Sequence, residues 1–98
     1  MKFQIPGGLR EFAGGQSQVE IEHPAATLSS ALSALWKTYP GMRDRVMTEQ
    51  GGVRQHINIF VGEENIRYTG GLATPVSPES VISIVPAVSG GGDTSSKF

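Results

Sequence analysis

Ninety-eight residues are enough for one domain with a single hydrophobic core and too few for two domains. The eight lysines and arginines nearly balance the nine aspartates and glutamates, and no run of basic residues exists, which argues against nucleic acid and anionic membranes as partners. The sequence has no cysteine, so we expect no disulfide, no cysteine-based metal site and no persulfide carried on a thiol of this chain.

Two short strands are predicted near the N-terminus. Residues 2–6 and 18–22 each alternate apolar with polar side chains, which is typical of half-buried strands. A proline and two glycines at residues 6–8 break the first strand, and the glycine pair at residues 14–15 indicates a turn before the second. Together these features predict an N-terminal hairpin.

A helix is predicted to begin after Thr27, whose hydroxyl can accept a hydrogen bond from a free amide in the first helical turn. The apolar residues at positions 28, 31, 32, 35 and 36 recur at helical spacing and form one apolar face. Pro40 and Gly41 should end this helix, and residues 42–47 fit one further helical turn.

Three more strands are predicted in the second half of the chain, at residues 57–61, 66–68 and 81–85. The last one is apolar enough to be central in a sheet. This order predicts an α+β fold, a mixed sheet with one main helix packed across one face. With the first and last strands as parallel neighbours, that is the β-grasp arrangement of ubiquitin-like proteins.

The final strand leads into Gly90, Gly91 and Gly92, and then into a short polar segment that ends at Phe98. Glycine pairs also occur at residues 7–8, 14–15, 51–52 and 70–71. The dipeptide alone is therefore uninformative here, and its position after the last strand is what distinguishes the final pair.

The end of the domain, IVPAVSGG at residues 84–91, resembles the C-terminus of the MoaD/ThiS family of ubiquitin-like sulfur carriers. The segments INIFV at residues 57–61 and NIRYTGGLAT at residues 65–74 resemble the cysteine-biosynthesis, or CysO-like, branch of that family. The resemblance extends over nearly all of residues 1–91.

The resemblance implies a carrier that is not an enzyme and that has no catalytic residue, metal or cofactor of its own. The carboxylate of Gly91 would be adenylated by a ubiquitin-activating-type adenylyltransferase that uses ATP. A sulfur donor would then displace AMP and leave a thiocarboxylate on Gly91. A pyridoxal-phosphate enzyme similar to cysteine synthase would accept the sulfur, for cysteine or a related sulfur amino acid.

The resemblance also divides the chain into a carrier domain, residues 1–91, and a disordered, cleavable tail, residues 92–98. A JAMM zinc metalloprotease would remove that tail before activation. Alignment with the family puts the scissile bond between Gly91 and Gly92. A cut after Gly92 is the alternative, and it would leave three glycines and lengthen the reach of the terminus by ~3.3–3.6 Å.

Several functions remain open at this point. Carriers of the same family supply sulfur for molybdopterin, thiamine or thiolated secondary metabolites. A ubiquitin-like protein modifier would instead be conjugated through Gly91 to lysines of its targets. An interaction module with an inert glycine-rich tail is a third reading.

Partner binding is expected on the open face of the sheet. Phe60 should point away from the apolar side chains of its strand, Tyr68 on the next predicted strand could join it, and Arg67 could add a charged contact at the rim. The alternative is that these aromatic side chains only cover a sheet edge. His23 and His56 are isolated and lack the spacing of metal ligands.

The location of the protein is predicted from its apolar segments. The N-terminus does not have the long apolar stretch of a signal peptide, and no run approaches the length needed to span a bilayer. We therefore expect a cytoplasmic protein.

Overall fold

One mixed sheet organises the computed structural model, which describes residues 1–22 and 26–86. Its strands are β1 (Lys2–Gln4), β2 (Gln18–Glu20), β3 (Ile57–Val61), β4 (Glu64–Asn65) and β5 (Val81–Pro86). Two α-helices, α1 (Leu28–Thr38) and α2 (Pro40–Val46), and three 3-10 helices (Gly7–Ala13, Ile66–Tyr68 and Gly71–Ala73) complete the described elements. The order β2-β1-β5-β3-β4 places β5 in the centre.

The predicted parallel pairing of the first and last strands is confirmed. Strand β5 runs parallel to β1, with Phe3 beside Ile82, and antiparallel to β3, with Ile59 beside Ile84. Strand β2 pairs antiparallel with β1, which confirms the N-terminal hairpin, although each of its strands has three residues rather than five. These pairings and the helix across one face are those of the β-grasp fold.

Helix α1 begins as its sequence predicts. The Thr27 side chain accepts a hydrogen bond from the backbone N–H of Ser30 at 3.3 Å and satisfies one of the free amides of the first turn. The prediction for the next segment is only partly right. Pro40 does end α1, but it also occupies the first turn of a second helix that starts two residues before the predicted turn. Proline fits there because the first turn has no intrahelical use for its missing N–H.

The core lies between the sheet and the two α-helices. Strands β1, β3 and β5 contribute Phe3, Ile59 and Ile82, each 1% exposed or less. The helices contribute five more side chains of the same burial: Leu28, Leu32, Leu35, Met42 and Val46. Burial of one such side chain stabilises the fold by about 1.5–3 kcal/mol, so these contacts hold α1 and α2 against one face of the sheet.

The predicted strand at residues 66–68 is wrong. Strand β4 stops at Asn65, and Ile66–Tyr68 forms a 3-10 helix. The reason is local: Oδ1 of Asn65 accepts a hydrogen bond from the backbone N–H of Arg67 at 3.0 Å and starts the turn. Ile66 then enters the core, where it is 5% exposed.

Candidate functional site

The C-terminal glycine motif begins just beyond the described residues. The structure describes the chain as far as Pro86, the last residue of β5, so the predictions for Gly90, Gly91, Gly92 and residues 92–98 lie outside it. Gly91 follows Pro86 by five residues. An extended chain spans at most ~3.3–3.6 Å per residue, so five residues can reach at most about 18 Å. Strand β5 is therefore the base from which the motif starts.

Strand β5 pairs with β1 on one side and with β3 on the other. Antiparallel pairing with β3 continues along β5 from Ile82 to Pro86, which is the Cα partner of Ile57. Parallel pairing with β1 ends at Ser83, because β1 itself ends at Gln4. The position of Pro86 relative to the sheet is consequently fixed by the β3 ladder.

Phe60 lies on the open face of the sheet, as predicted. Its neighbours Ile57 and Ile59 are buried, whereas Phe60 is only partly buried and lies opposite Ser83 on β5 and Asn65 on β4. Val85, two residues along β5 from Ser83, is 42% exposed on the same face. Diagonal cross-strand neighbours are about 7–8 Å apart, within reach of an aromatic ring.

Polar side chains frame these apolar residues. The Ser83 hydroxyl donates to Oε1 of Gln4 at 2.9 Å, and Nδ2 of Asn65 donates to Oδ1 of Asn58 at 3.3 Å. A small apolar centre with a polar surround is the composition of many docking surfaces.

The structure separates Arg67 from Phe60. Nη2 of Arg67 donates to the backbone carbonyl of Gln55 at 3.2 Å, and Arg67 lines a groove with Ile57 and Ile59, the residues that β3 turns toward the core. Tyr68 follows in the 3-10 helix and is 86% exposed. Tyr68 therefore does not extend a strand beside Phe60, and the predicted patch reduces to Phe60 and its sheet neighbours on the open face.

The groove beside Arg67 was missed by the sequence analysis. It has a volume of about 290 Å³, and its walls come from residues 52–54, 57, 59, 65–67 and 71–72. Arg54 is a second cationic residue in its wall, and Nε of Arg54 donates to the backbone carbonyl of Asp44 at 2.8 Å. No short sequence motif predicts this groove, because its wall residues come from segments that are separate in the sequence and adjacent only in the fold.

Metal binding has no evident site in the part of the chain that the structure describes. No group of three or more His, Cys, Asp or Glu side chains in residues 1–22 and 26–86 is placed to hold a metal ion. His56 is exposed, and His23 lies outside the described residues. Neither described α-helix is long and apolar enough to cross a bilayer.

Comparison with known proteins gives a family match over most of the chain. A model described as the ThiS family matches residues 3–91. The sulfur carrier protein CysO of Mycobacterium tuberculosis is 37% identical over 89 residues, which cover 89% of this chain and 94% of that protein. Small archaeal modifier protein 1 of Haloferax volcanii is 32% identical over 92 residues, which cover 93% of this chain and 100% of that protein.

Solved structures show the same similarity. The crystal structure of Mycobacterium tuberculosis CysO matches with a TM-score of 0.80 at 35% identity, covering 89% of this chain and 98% of that one. CysO in the BexX/CysO complex of Amycolatopsis orientalis matches with a TM-score of 0.82 at 31% identity, covering 92% of this chain and 98% of that one.

Proposed function

The chain belongs to the ThiS family as a small ubiquitin-like sulfur carrier rather than an enzyme, and from that membership we propose that it carries sulfur as a thiocarboxylate on Gly91. The observation that carries the proposal is the extent of the family match, which ends at residue 91. That residue is the second glycine of the pair that follows the central strand.

The terminal carboxylate is the proposed reacting group because the sequence has no cysteine that could hold sulfur. A free carboxylate is a poor electrophile, since its leaving group would be oxide or hydroxide. Attack of a carboxylate oxygen on the α-phosphorus of ATP releases pyrophosphate and gives an acyl adenylate. Hydrosulfide then attacks the carbonyl carbon, AMP leaves, and after loss of the proton the sulfur remains on the carbonyl as a thiocarboxylate.

Glycine suits this chemistry at residue 91. Without a Cβ, the backbone can approach a nucleotide closely, and nothing hinders attack at the carbonyl. The ladder with β3 holds the start of the terminal segment at Pro86, and the five residues that follow supply the reach. In this proposal the folded domain is the part that partner proteins bind, and the terminal carboxylate is the group that reacts.

Proteolysis must come first, because Gly92 follows Gly91 and the Gly91 carbonyl is then part of an amide. We propose hydrolysis between Gly91 and Gly92 by a zinc metalloprotease of the JAMM type, in which the metal activates the attacking water. The extent of the family match supports this register, since the match ends at residue 91.

Two kinds of partner follow from this scheme. An ATP-using adenylyltransferase of the ubiquitin-activating type would dock on the open face around Phe60. A pyridoxal-phosphate enzyme similar to cysteine synthase would accept the sulfur, and the similarity to CysO favours cysteine or a related sulfur amino acid as the product. The crystal structure of the BexX/CysO complex of Amycolatopsis orientalis supports the expectation that a carrier of this fold binds another protein.

Protein modification is the second candidate, favoured by the similarity to small archaeal modifier protein 1. It shares the adenylation of Gly91 and differs in the nucleophile. A lysine amine would attack the activated carbonyl and form an amide with the target protein.

Intact-mass analysis of the protein purified from its native host tests the proposal. We expect a form that ends at Gly91 and has one oxygen replaced by sulfur. In a reconstituted reaction, a chain that ends at Gly91 should transfer sulfur to the acceptor, and a chain that ends at Ser89 should not. Equal transfer by the chain that ends at Ser89 would refute the thiocarboxylate, and lysine-linked conjugates in the host would favour the modifier.

A further inference from the structure

The groove lined by Arg54 and Arg67 lies beside the base of the C-terminal motif. Ile57 forms part of its wall, and Ile57 is the Cα partner of Pro86, where the described chain ends. Pro86, from which the terminal segment continues, therefore lies near this groove.

Backbone carbonyls orient both arginines in advance. Nε of Arg54 donates to the Asp44 carbonyl at 2.8 Å, and Nη2 of Arg67 donates to the Gln55 carbonyl at 3.2 Å. A guanidinium has five N–H donors, so each one keeps donors for a ligand. Side chains that are already held lose less conformational entropy when they bind.

Both arginines lack a carboxylate partner in the part of the chain that the structure describes. The ion pair found there, at 3.3 Å, joins Arg43 to Asp44 and involves neither Arg54 nor Arg67. The Asp44 carboxylate is thus engaged by Arg43, although its main-chain carbonyl holds Arg54. The groove presents positive charge without an internal counterion among the described residues.

Apart from Asn65, the side chains in the rest of the groove wall are apolar. Ile57, Ile59, Val53 and Leu72 line it together with the two arginines. A simple anion would use only the guanidinium groups and would leave Val53 and Leu72, the partly exposed wall residues, in contact with water. A ligand with carboxylates and an apolar side chain uses both features, because guanidinium binds carboxylate in a planar, bidentate manner.

Charges of both signs meet near the opposite end of β5, where the N-terminal ammonium of Met1 and the side chain of Lys2 equal Glu20 and Glu79 in number. Lys2 is the Cα partner of both Glu20 and Val81, and Glu79 lies beside them in a second groove. A strand of six residues is about 17 Å long, so groups of both charges lie near the start of β5 and the arginine groove lies near its end. An acidic partner segment is therefore attracted to the arginine groove more than to the start of β5.

We propose that the groove between Arg54 and Arg67 binds an acidic segment of a partner protein. The carboxylates of that segment pair with the two guanidinium groups, and one of its aliphatic or aromatic side chains packs against Val53 and Leu72. That the partner is one that handles Gly91 rests on the proposed function, whereas the binding itself does not depend on it.

A peptide titration followed by backbone amide chemical shifts in NMR spectra tests this proposal on the full chain. The probe is a blocked hexapeptide with leucine and phenylalanine at its centre and two acidic residues on each side. Its matched control has asparagine and glutamine in place of the acids. We expect the acidic peptide to shift the amides of residues 52–57 and 65–72, and the neutral peptide to bind about tenfold more weakly or worse.

Charge-changing substitutions test whether the peptide binds at the two arginines. Arg54→Glu with Arg67→Glu should abolish these shifts, and Arg54→Gln with Arg67→Gln should weaken them while keeping a donor near each carbonyl. Lys37→Glu, on the exposed face of α1, changes charge in the same sense as one of the arginine substitutions and lies outside the groove. It should bind like the native chain, and an equal loss in this variant would overturn the proposal.

The remaining outcomes are also decisive. Absence of shifts in the groove, equal binding of the neutral peptide, or the same shifts with inorganic phosphate alone would each overturn it. So would the same shifts on raising the protein concentration, which would indicate a second copy of this chain, or on removing residues 92–98, which would indicate the chain's own terminus. A chain that ends at Ser89 should bind the acidic peptide normally although it cannot be loaded with sulfur, so failure of the groove and failure of the proposed function are distinguishable.

Discussion

Phe60 on β3 lies directly opposite Ser83 on β5, and the Ser83 hydroxyl donates to Oε1 of Gln4 on β1 at 2.9 Å. These three side chains cross the open face of the sheet over its central strands. Phe60 is the aromatic member of this row, and the core on the other face does not include it. A role in docking can therefore be separated from a role in folding.

Replacement of Phe60 by alanine should weaken binding of the activating enzyme more than it destabilises the fold. Loss of an aromatic anchor at an interface costs about 2 kcal/mol or more, which is roughly thirtyfold in affinity. The KM for the carrier in the adenylation reaction and the thermal melt of the variant together measure both effects. Tyr68→Ala, which removes an exposed aromatic elsewhere, is the matched control and should change little. Loss of the cooperative melt in Phe60→Ala would contradict the docking role.

Replacement of Thr27 by alanine should lower the free energy of unfolding by about 1 kcal/mol. The hydroxyl that accepts from the Ser30 amide is lost, and one amide at the start of α1 then has no side-chain acceptor. Urea denaturation checks the change. Thr27→Ser keeps the hydroxyl and should be nearly neutral, and equal destabilisation by both substitutions would show that the cap is not responsible.

Replacement of Leu35 by alanine should destabilise the protein by about 2–5 kcal/mol. Leu35 is fully buried where α1 packs on the sheet, so the substitution leaves a cavity. Ser33→Ala, at an exposed position of the same helix, should change stability by less than about 0.5 kcal/mol. Urea denaturation of both variants measures the difference, and similar values would mean that the helix does not depend on its buried face.

Replacement of Gly62 by alanine should cost about 1–2 kcal/mol. Gly62 turns the chain from β3 into β4 at a φ of +64°, a conformation that strains residues with a Cβ. Gly8→Ala is the matched control, because Gly8 does not have a positive φ and a Cβ there would meet open space. In urea denaturation, the free energy of unfolding should fall below the native value for Gly62→Ala and should equal or slightly exceed it for Gly8→Ala. Equal changes in the two variants would argue against backbone strain at Gly62.

Element order, apolar patterning and capping were sufficient to predict the central position of β5, its parallel pairing with β1 and the start of α1. The alternation in residues 57–61 also placed Phe60 correctly on the open face, because side chains of a strand alternate between faces. The same reasoning failed at residues 66–68, where the alternation of Ile66 and Tyr68 about Arg67 suggested a strand. There the Asn65 side chain competes for the backbone and starts a 3-10 turn instead.

The groove between Arg54 and Arg67 could not be predicted from the sequence, for a different reason. Arg54 and Arg67 are separated along the chain by all of β3 and β4, and only the fold brings them to one groove. Gly91 is the reverse case. Its position after a final strand and the resemblance of residues 84–91 to a family terminus singled it out, and its thiocarboxylation stays a prediction for mass analysis.

The central position of β5 has a mechanical consequence. A protease, an activating enzyme or an acceptor that grips the chain after Pro86 applies force along this strand. The ladders with β1 and β3 run beside it, and their hydrogen bonds lie across the direction of pull. The β3 ladder bears such a force from Pro86 inward and the β1 ladder shares it from Ser83 inward, so a pull on the terminus is resisted by hydrogen bonds on both sides of the strand.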